Sequence, residues 1–267
     1  MNSLVRDTDY ASTEVPFINP SACSESYSVH GARYQEDCSL CSRTQLQKDH
    51  CRYYDLAVTY SLLAARVVIG AAALAVTALA TLHILKPDVH PSRNMISLYA
   101  LGRHGWVMAL CFAAFAAATA CLFAALVAHV SSLLGGIGLA FLLLAAIGLA
   151  MAARFPMDPA STPPAQMSFS GKMHGVSFLI GVPCQILSVL LLSVALGNET
   201  SNASPLLLGL TAVNWVSLGI MIAIMVMVGP GKAPNPDGPE RFLGLPNRLF
   251  MVSYGMWLIA VAWPMAR

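Results

Sequence analysis

The chain has 267 residues, of which 57% are hydrophobic and only 10% are charged, and its formal net charge is +2. Because charged residues make up about a quarter of a typical soluble domain, this composition excludes an ordinary soluble protein. The small net charge comes without a basic stripe, which argues against nucleic acid as a partner. We therefore expect an integral, multi-pass membrane protein whose main partner is the lipid bilayer.

The first part of the chain is a polar tail that differs from the rest. It is rich in Ser, Asp and Glu and lacks helical or strand periodicity, so we expect it to be mostly disordered. The chain then divides into this tail, residues 1–60, and a transmembrane domain, residues 61–267. No short apolar segment with a cleavage site precedes the tail, so the first span is expected to serve as the targeting signal.

Four of the seven cysteines lie in the tail, at Cys23, Cys38, Cys41 and Cys51. A Cys-x2-Cys pair can present two thiolates to zinc, but a second ligand pair is missing because His50 and Cys51 are adjacent. Disulfides are expected if the tail lies outside the cell, and free or palmitoylated thiols if it lies inside. These four residues are therefore predicted disulfide or thiol positions, with no metal site.

Six apolar stretches follow the tail, and each is long enough to cross a hydrocarbon core about 30 Å thick, which takes about 20 helical residues. Runs of this length without alternation indicate helices rather than barrel strands. The predicted spans are Val67–Leu85, Gly105–Ala128, Leu133–Ala153, Gly175–Leu196, Leu206–Val228 and Arg248–Ala266. We therefore predict an all-α fold with six transmembrane helices in one bundle and both chain termini on one side.

The loops divide between two sides, which we name side A, the side of the tail, and side B, the opposite side. The short loops on side A contain no Lys or Arg. The loops on side B contain Lys86, Arg93, Arg103, Arg154, Lys172, Lys232, Arg241 and Arg248. The positive-inside rule then places side B in the cytoplasm and the tail outside, although basic residues in the tail itself oppose its translocation.

A polar loop on side B, FPMDP followed by SFSGKMHG, carries the candidate catalytic residues. Asp158 lies between two prolines, and His174 begins the fourth span. A His with a nearby Asp can serve as an oriented general base, and Ser97 lies on the same side. The alternative is structural, because polar residues collect at any membrane surface and an Asp between prolines often caps a turn.

Candidate substrate-binding residues lie on side B as well. Tyr99 and Arg103 precede the second span, and Arg248 begins the sixth. An Arg guanidinium can hold a lipid phosphate bidentately, so a lipid or small apolar molecule is the expected partner. A heme held between His83 and His174 is disfavoured because there is no second histidine pair, and we expect no cofactor.

One face of the fourth span carries small and polar side chains at steps of three and four residues. They are Ser170, His174, Ser177, Gly181, Cys184 or Gln185, and Ser188. This face is predicted either to pack against neighbouring helices or to line a shallow cavity at His174. Within the spans, Gln185 and Asn214 are expected to form interhelical hydrogen bonds, and the glycines of the third span are expected to allow close packing. The absence of Asp and Glu from the spans argues against an ion-coupled carrier.

The order of several motifs resembles the DUF998 family of six-span membrane proteins. The motifs are ISLYALGRHGW, RFPMDP, SGKMHG and PNRLFMVSYGMWL, which enter the second span, end the third, enter the fourth and form the sixth. The resemblance covers the chain from about Val67 onward and implies a fold without a reaction, since the family is one of unknown function. It also implies that Ser97, Asp158 and His174 correspond to family elements. It further implies a tail on the inside, which conflicts with the charge count and leaves the topology open.

Two functions remain open. The first is an integral membrane enzyme or lipid-handling factor with Asp158, His174, Ser97 and Arg248 at the side B interface. The second is a non-catalytic scaffold, or a permeation path for a neutral solute, in which these residues fix loops. The substitutions Asp158→Asn and His174→Gln distinguish the two, because they should abolish an enzyme but leave a scaffold assembled.

Overall fold

Apart from turns, the described part of the chain is helical. The computed structural model describes residues 45–159, 161–200, 205–228 and 238–267, and it contains no strand in these ranges. The helices are α1 (Gln45–Leu85), α2 (Gly105–Leu126), α3 (Leu133–Arg154), α4 (Phe169–Thr200), α5 (Pro205–Val228) and α6 (Gly244–Ala262). Each contains a segment long and apolar enough to cross a membrane. The prediction of an all-α, six-span membrane protein is therefore confirmed.

The chain divides into two units, Met1–Arg52 and Tyr53–Arg267, and the second contains all six candidate spans. Helix α1 begins at Gln45, so the described end of the predicted tail is helical, and its apolar segment begins at Val58. No Pro or Gly interrupts the sequence between these residues and the predicted span, so the helix continues. The predictions for residues 1–44, including Cys23, Cys38 and Cys41, and for the Cys51 side chain fall outside the described residues.

Two helices that start on side B begin earlier than predicted. Helix α4 begins at Phe169 rather than Gly175, and α6 begins at Gly244 rather than Arg248. In both cases the first helical turns carry polar residues, which hydropathy alone assigns to a loop. Local hydrogen bonds and side-chain contacts described below stabilise these turns, and they bring the polar residues into the helical framework.

Helices α3 and α4 pack closely in an antiparallel pair. Gly138 lies against Leu192, and a methyl group added to Gly148 would come within 2.5 Å of the Gly181 Cα. The backbones of the two helices therefore touch at the Gly148–Gly181 crossing, which confirms the predicted close packing. Gly136 is different, since a methyl group there would meet nothing within 4 Å.

Buried polar groups toward side A join four helices by hydrogen bonds. The Trp257 Nε1 of α6 donates to the Ser193 Oγ of α4 at 2.9 Å, and Ser193 shares a 2.8 Å hydrogen bond with Thr211 of α5. The Tyr254 hydroxyl lies 2.8 Å from the Thr119 hydroxyl of α2. Asn214 Nδ2 donates to Ser253 Oγ at 2.9 Å, which is the interhelical bond expected of Asn214.

Candidate functional site

A cavity lies toward side B, among α2 to α6 and the 3-10 turn Ile96–Ala100. Its water-accessible volume is about 60 Å³, whereas a single water needs roughly 10–15 Å³ by this measure. Its polar lining residues are Ser97, His174, Ser177, Gln185 and Asn247, and the rest of the wall is apolar. None of the described residues in this wall is Asp, Glu, Lys or Arg. We name this space the His174 cavity.

His174 lies near the start of α4 and is held by one backbone contact. Its Nδ1 lies 2.9 Å from the Phe155 carbonyl oxygen. Because a carbonyl can only accept, Nδ1 carries the hydrogen, and Nε2 of the neutral ring is an acceptor. Among the described residues, Nε2 has no hydrogen-bond partner. The predicted polar face of α4 therefore presents an unused acceptor at this cavity.

Gln185 is the second unusual group in the wall. Its side chain is only 2% exposed, and its Nε2 atom has no hydrogen-bond partner in the described structure. The predicted interhelical hydrogen bond of Gln185 is therefore wrong. Residue identity and depth alone suggested such a bond, but no described polar group lies within hydrogen-bonding distance of this nitrogen. An unsatisfied buried donor costs about 1–3 kcal/mol, so a ligand acceptor or water at this point would be stabilised.

Ser97 reaches the cavity through the 3-10 turn that precedes α2. The Asn247 Oδ1 of α6 accepts a hydrogen bond from the Ile96 backbone nitrogen at 2.8 Å and fixes this turn against α6. The Ser97 side chain is buried, and its hydroxyl forms no hydrogen bond within the described ranges. Asn247 therefore positions Ser97, a role that the sequence did not reveal.

Asp158 caps helix α4. Its Oδ2 accepts from the Ser168 backbone nitrogen and its Oδ1 from the Ser168 hydroxyl, both at 2.8 Å. Ser168 Oγ in turn accepts from the Gly171 nitrogen at 3.0 Å, as an N-cap residue does. A methyl group on Gly171 would collide with the Asp158 carboxylate. No hydrogen bond joins Asp158 to His174 in the described structure, and the group that orients the His174 ring is the Phe155 carbonyl.

A second polar centre on side B surrounds Arg248. Its Nε donates to His83 Nε2 at 2.8 Å, and its Nη2 donates to the Tyr99 hydroxyl at 3.0 Å. Nη1 donates to the carbonyl oxygens of Asn94 at 2.7 Å and Gly244 at 3.0 Å. The guanidinium carbon lies 5.4 Å from the centre of the Tyr99 ring. These contacts tie α6 to α1 and to the loop between α1 and α2.

Lys86 joins the same centre, and we name Arg248, His83, Tyr99, Asn94 and Lys86 the Arg248 cluster. Lys86 Nζ donates to the carbonyl oxygens of Tyr99 and Leu101. Both cations are buried, Lys86 at 7% and Arg248 at 9% exposure. Within the described residues neither has a carboxylate partner, so carbonyl oxygens, a hydroxyl and a neutral imidazole surround their charges.

The family comparison covers both centres. The family model whose description is a protein of unknown function, DUF998, matches residues 68–264. The chain belongs to the DUF998 family. No curated protein and no solved structure matches it. The DUF998 region begins within α1 and ends after α6, so it contains the His174 cavity and the Arg248 cluster.

Within the DUF998 region, the predicted site residues lie in separate places. Ser97 and His174 line the cavity, Asp158 caps α4, and Tyr99 and Arg248 belong to the cluster. Arg103 is exposed at the turn before α2. His83 accepts a hydrogen bond from Arg248. Among the described residues, no group of three His, Cys, Asp or Glu side chains is arranged to hold a metal ion.

Proposed function

We propose that this DUF998 protein handles a neutral lipid-like molecule by binding its polar head in the His174 cavity. The observation that carries the proposal is the unpartnered Gln185 amide in the wall of a cavity large enough for several water-sized groups. Buried polar groups in proteins are nearly always hydrogen-bonded. A bound ligand supplies the partner that the described protein atoms do not.

The hydrogen-bonding groups of the wall define the head of this ligand. Gln185 Nε2 offers a donor, and His174 Nε2 offers an acceptor in the neutral ring. Gln185 follows His174 by eleven residues, about 16 Å along α4 at 1.5 Å per residue, so an acceptor and a donor at separate points of the ligand satisfy the two groups. Ser97 can give or take a further hydrogen bond. A charged head would be buried without an ion-pair partner in the described wall, which is costly, so the ligand is uncharged.

The rest of the cavity wall is apolar and fits hydrocarbon. Phe112, Leu149, Met221 and Phe250 lie around the polar groups. Ligand sites commonly combine an apolar wall with a few polar groups that fix orientation. The ligand is therefore an amphiphile. Because Asp158 caps α4 rather than orienting His174, we propose binding and handling of this molecule, and the catalytic roles of Asp158, His174 and Ser97 stay predictions.

Analysis of lipids that co-purify with the protein tests this proposal. The wild type, Ala152→Leu and Ala150→Leu are purified from the same membranes, and the bound lipids are extracted and identified by mass spectrometry. Ala152 lines the cavity, whereas Ala150 is exposed on the same helix. We expect a neutral hydroxylated lipid to be enriched at least fivefold over its membrane share with the wild type and with Ala150→Leu.

The cavity-filling variant Ala152→Leu should lose this enrichment while remaining folded by circular dichroism. Equal enrichment in Ala152→Leu and the wild type would contradict the proposal, because the lipid would then bind elsewhere. No enrichment in the wild type would contradict it too, and water would then be the partner of Gln185.

A further inference from the structure

A second, larger space lies on the membrane-facing side of α4 and α5. Its volume is about 750 Å³, and its wall is formed only by apolar side chains of these two helices. The α5 side consists of Leu218, Ile222, Met225 and Val226. These four residues follow helical steps, so they form one continuous face of α5. We name this space the α4–α5 groove.

The groove and the His174 cavity share part of their walls. Phe178 and Val182 of α4 line both spaces. They follow His174 at helical steps of four, and Gln185 comes three residues after Val182. Along α4 the two shared apolar residues therefore lie between the two polar residues of the cavity. A molecule with its polar head in the cavity can extend an apolar chain across these shared residues into the groove.

Helix α4 differs between its face toward α5 and its face toward α3. Pro183, which lines the groove, has no amide hydrogen to donate to the Leu179 carbonyl, so α4 lacks one backbone hydrogen bond here. On its other face, α4 meets α3 in close backbone contact at Gly148 and Gly181. Toward α5, larger side chains such as Phe178 and Leu179 border the groove instead.

We propose that the α4–α5 groove holds the hydrocarbon chain of the ligand whose head occupies the His174 cavity, and that the ligand reaches the cavity sideways from the bilayer. This inference depends on the proposed function. The α5 wall from Leu218 to Val226 extends over about 12 Å at 1.5 Å per residue. The proposed ligand is an uncharged single-chain lipid, of which a long-chain monoacylglycerol is an example.

Photocrosslinking in liposomes that contain the full chain tests the position of the hydrocarbon chain. The probe is a long-chain monoacylglycerol with a diazirine near the end of its chain, and labelled peptides are identified by mass spectrometry. An excess of unlabelled monoacylglycerol should reduce labelling of Ile222–Val226 at least fivefold. Labelling of other lipid-facing positions on α5, such as Val216, should not change, because ordinary bilayer lipid occupies them.

Two matched variants separate the groove from the surrounding bilayer. Ile222 lines the groove and is 50% exposed, whereas Ile220 on the same helix is 48% exposed and does not line it. Ile222→Trp should remove the competable labelling, and Ile220→Trp should keep it. Competable labelling that persists in Ile222→Trp, or labelling of the groove that competitor does not reduce, would overturn the inference.

A short-chain control distinguishes failure of this inference from failure of the proposed function. Glycerol monobutyrate has the same head but too short a chain to fill the groove. Its dissociation constant for Ile222→Trp should lie within twofold of that for the wild type. Its dissociation constant for Ala152→Leu should be at least fivefold larger than that for the wild type. The short ligand could bind Ala152→Leu more weakly than the wild type while unlabelled competitor leaves groove labelling unchanged. In that case the cavity binds the head, and the groove assignment is wrong. If Ala152→Leu binds the short ligand as the wild type does, the proposed function fails as well.

Discussion

The Arg248 cluster and the His174 cavity lie side by side on side B, and each contains a histidine. In the cluster, His83 uses both ring nitrogens, with Nδ1 at 2.8 Å from the Leu79 carbonyl and Nε2 accepting from Arg248. In the cavity, His174 uses only Nδ1. Asn247 lines the cavity, and the next residue, Arg248, anchors the cluster.

The difference between these two centres separates structural polar groups from ligand-binding ones. Four donor contacts hold Arg248, and they connect α6 with α1 and with the loop that carries Tyr99. In the cavity the Gln185 amide and the Ser97 hydroxyl have no partner within the described ranges. A satisfied network fixes a fold, whereas an unsatisfied one beside a cavity has hydrogen bonds to offer a ligand. Substitutions should therefore affect stability in the cluster and binding in the cavity.

The largest expected effect on stability is that of Arg248→Met. This substitution leaves the Asn94 carbonyl, the Tyr99 hydroxyl and His83 without their donor. Since hydrogen bonds to charged groups contribute about 1.5–3 kcal/mol each, we expect the free energy of unfolding to fall by at least about 3 kcal/mol. Thermal unfolding in detergent, followed by circular dichroism, measures this loss.

Arg248→Lys is the matched control for this prediction. It keeps the charge but cannot reproduce the planar fork that reaches several acceptors at once, so an intermediate loss is expected. If Arg248→Met were as stable as the wild type but bound no lipid, Arg248 would be a ligand-binding residue, as the sequence suggested, and the structural role of the cluster would be wrong.

A smaller loss of stability is expected for Asp158→Ala. The carboxylate supports the Ser168 cap of α4, and removing capping interactions costs about 0.5–2 kcal/mol. Because Asp158 does not line the cavity, the folded variant should retain lipid as the wild type does. Unfolding curves and lipid extraction on one preparation measure both quantities. Full stability together with complete loss of a lipid conversion in cells would instead make Asp158 catalytic.

The smallest effect on stability is expected for Gln185→Leu, which should have a large effect on binding. Removing an unpartnered buried amide costs no protein hydrogen bond, so the free energy of unfolding should stay within about 1 kcal/mol of the wild type. Lipid enrichment should be lost. Asn214→Leu is the comparison, because it removes the hydrogen bond to Ser253 and should destabilise the protein. Equal destabilisation by the two variants would show that Gln185 has a structural partner.

The six helices followed from the sequence because a bilayer demands about 20 apolar residues per crossing. The polar first turns of these helices did not follow from the sequence. Hydropathy cannot detect the Asp158–Ser168 contacts that stabilise the start of α4 at Phe169. For the polar face of α4 the sequence left packing and a cavity as alternatives, and the structure shows both, with backbone contact at Gly181 and cavity lining at His174 and Gln185. Whether each group finds a partner depends on neighbouring helices, and for this reason the sequence assigned Gln185 a hydrogen bond that it lacks.

Partners that are distant in the chain also explain why the sequence did not predict the structural role of the Arg248 cluster. Tyr99 and Arg248 were predicted to bind substrate because an exposed guanidinium at a membrane interface attracts phosphate. The contacts that bury Arg248 come from His83 and Asn94, which lie more than 150 residues earlier in the chain. No local pattern reports a partner at that separation. Arg103, by contrast, stays exposed as its position in a turn suggests.

The most direct test is an experimental structure of the wild-type protein in lipid nanodiscs, at a resolution that shows bound lipid and water. The proposed function predicts non-protein density that runs between His174 and Gln185 along α4, passes Phe178 and continues into the α4–α5 groove. An empty cavity, or one that contains only separate water molecules bonded to Gln185, would contradict it.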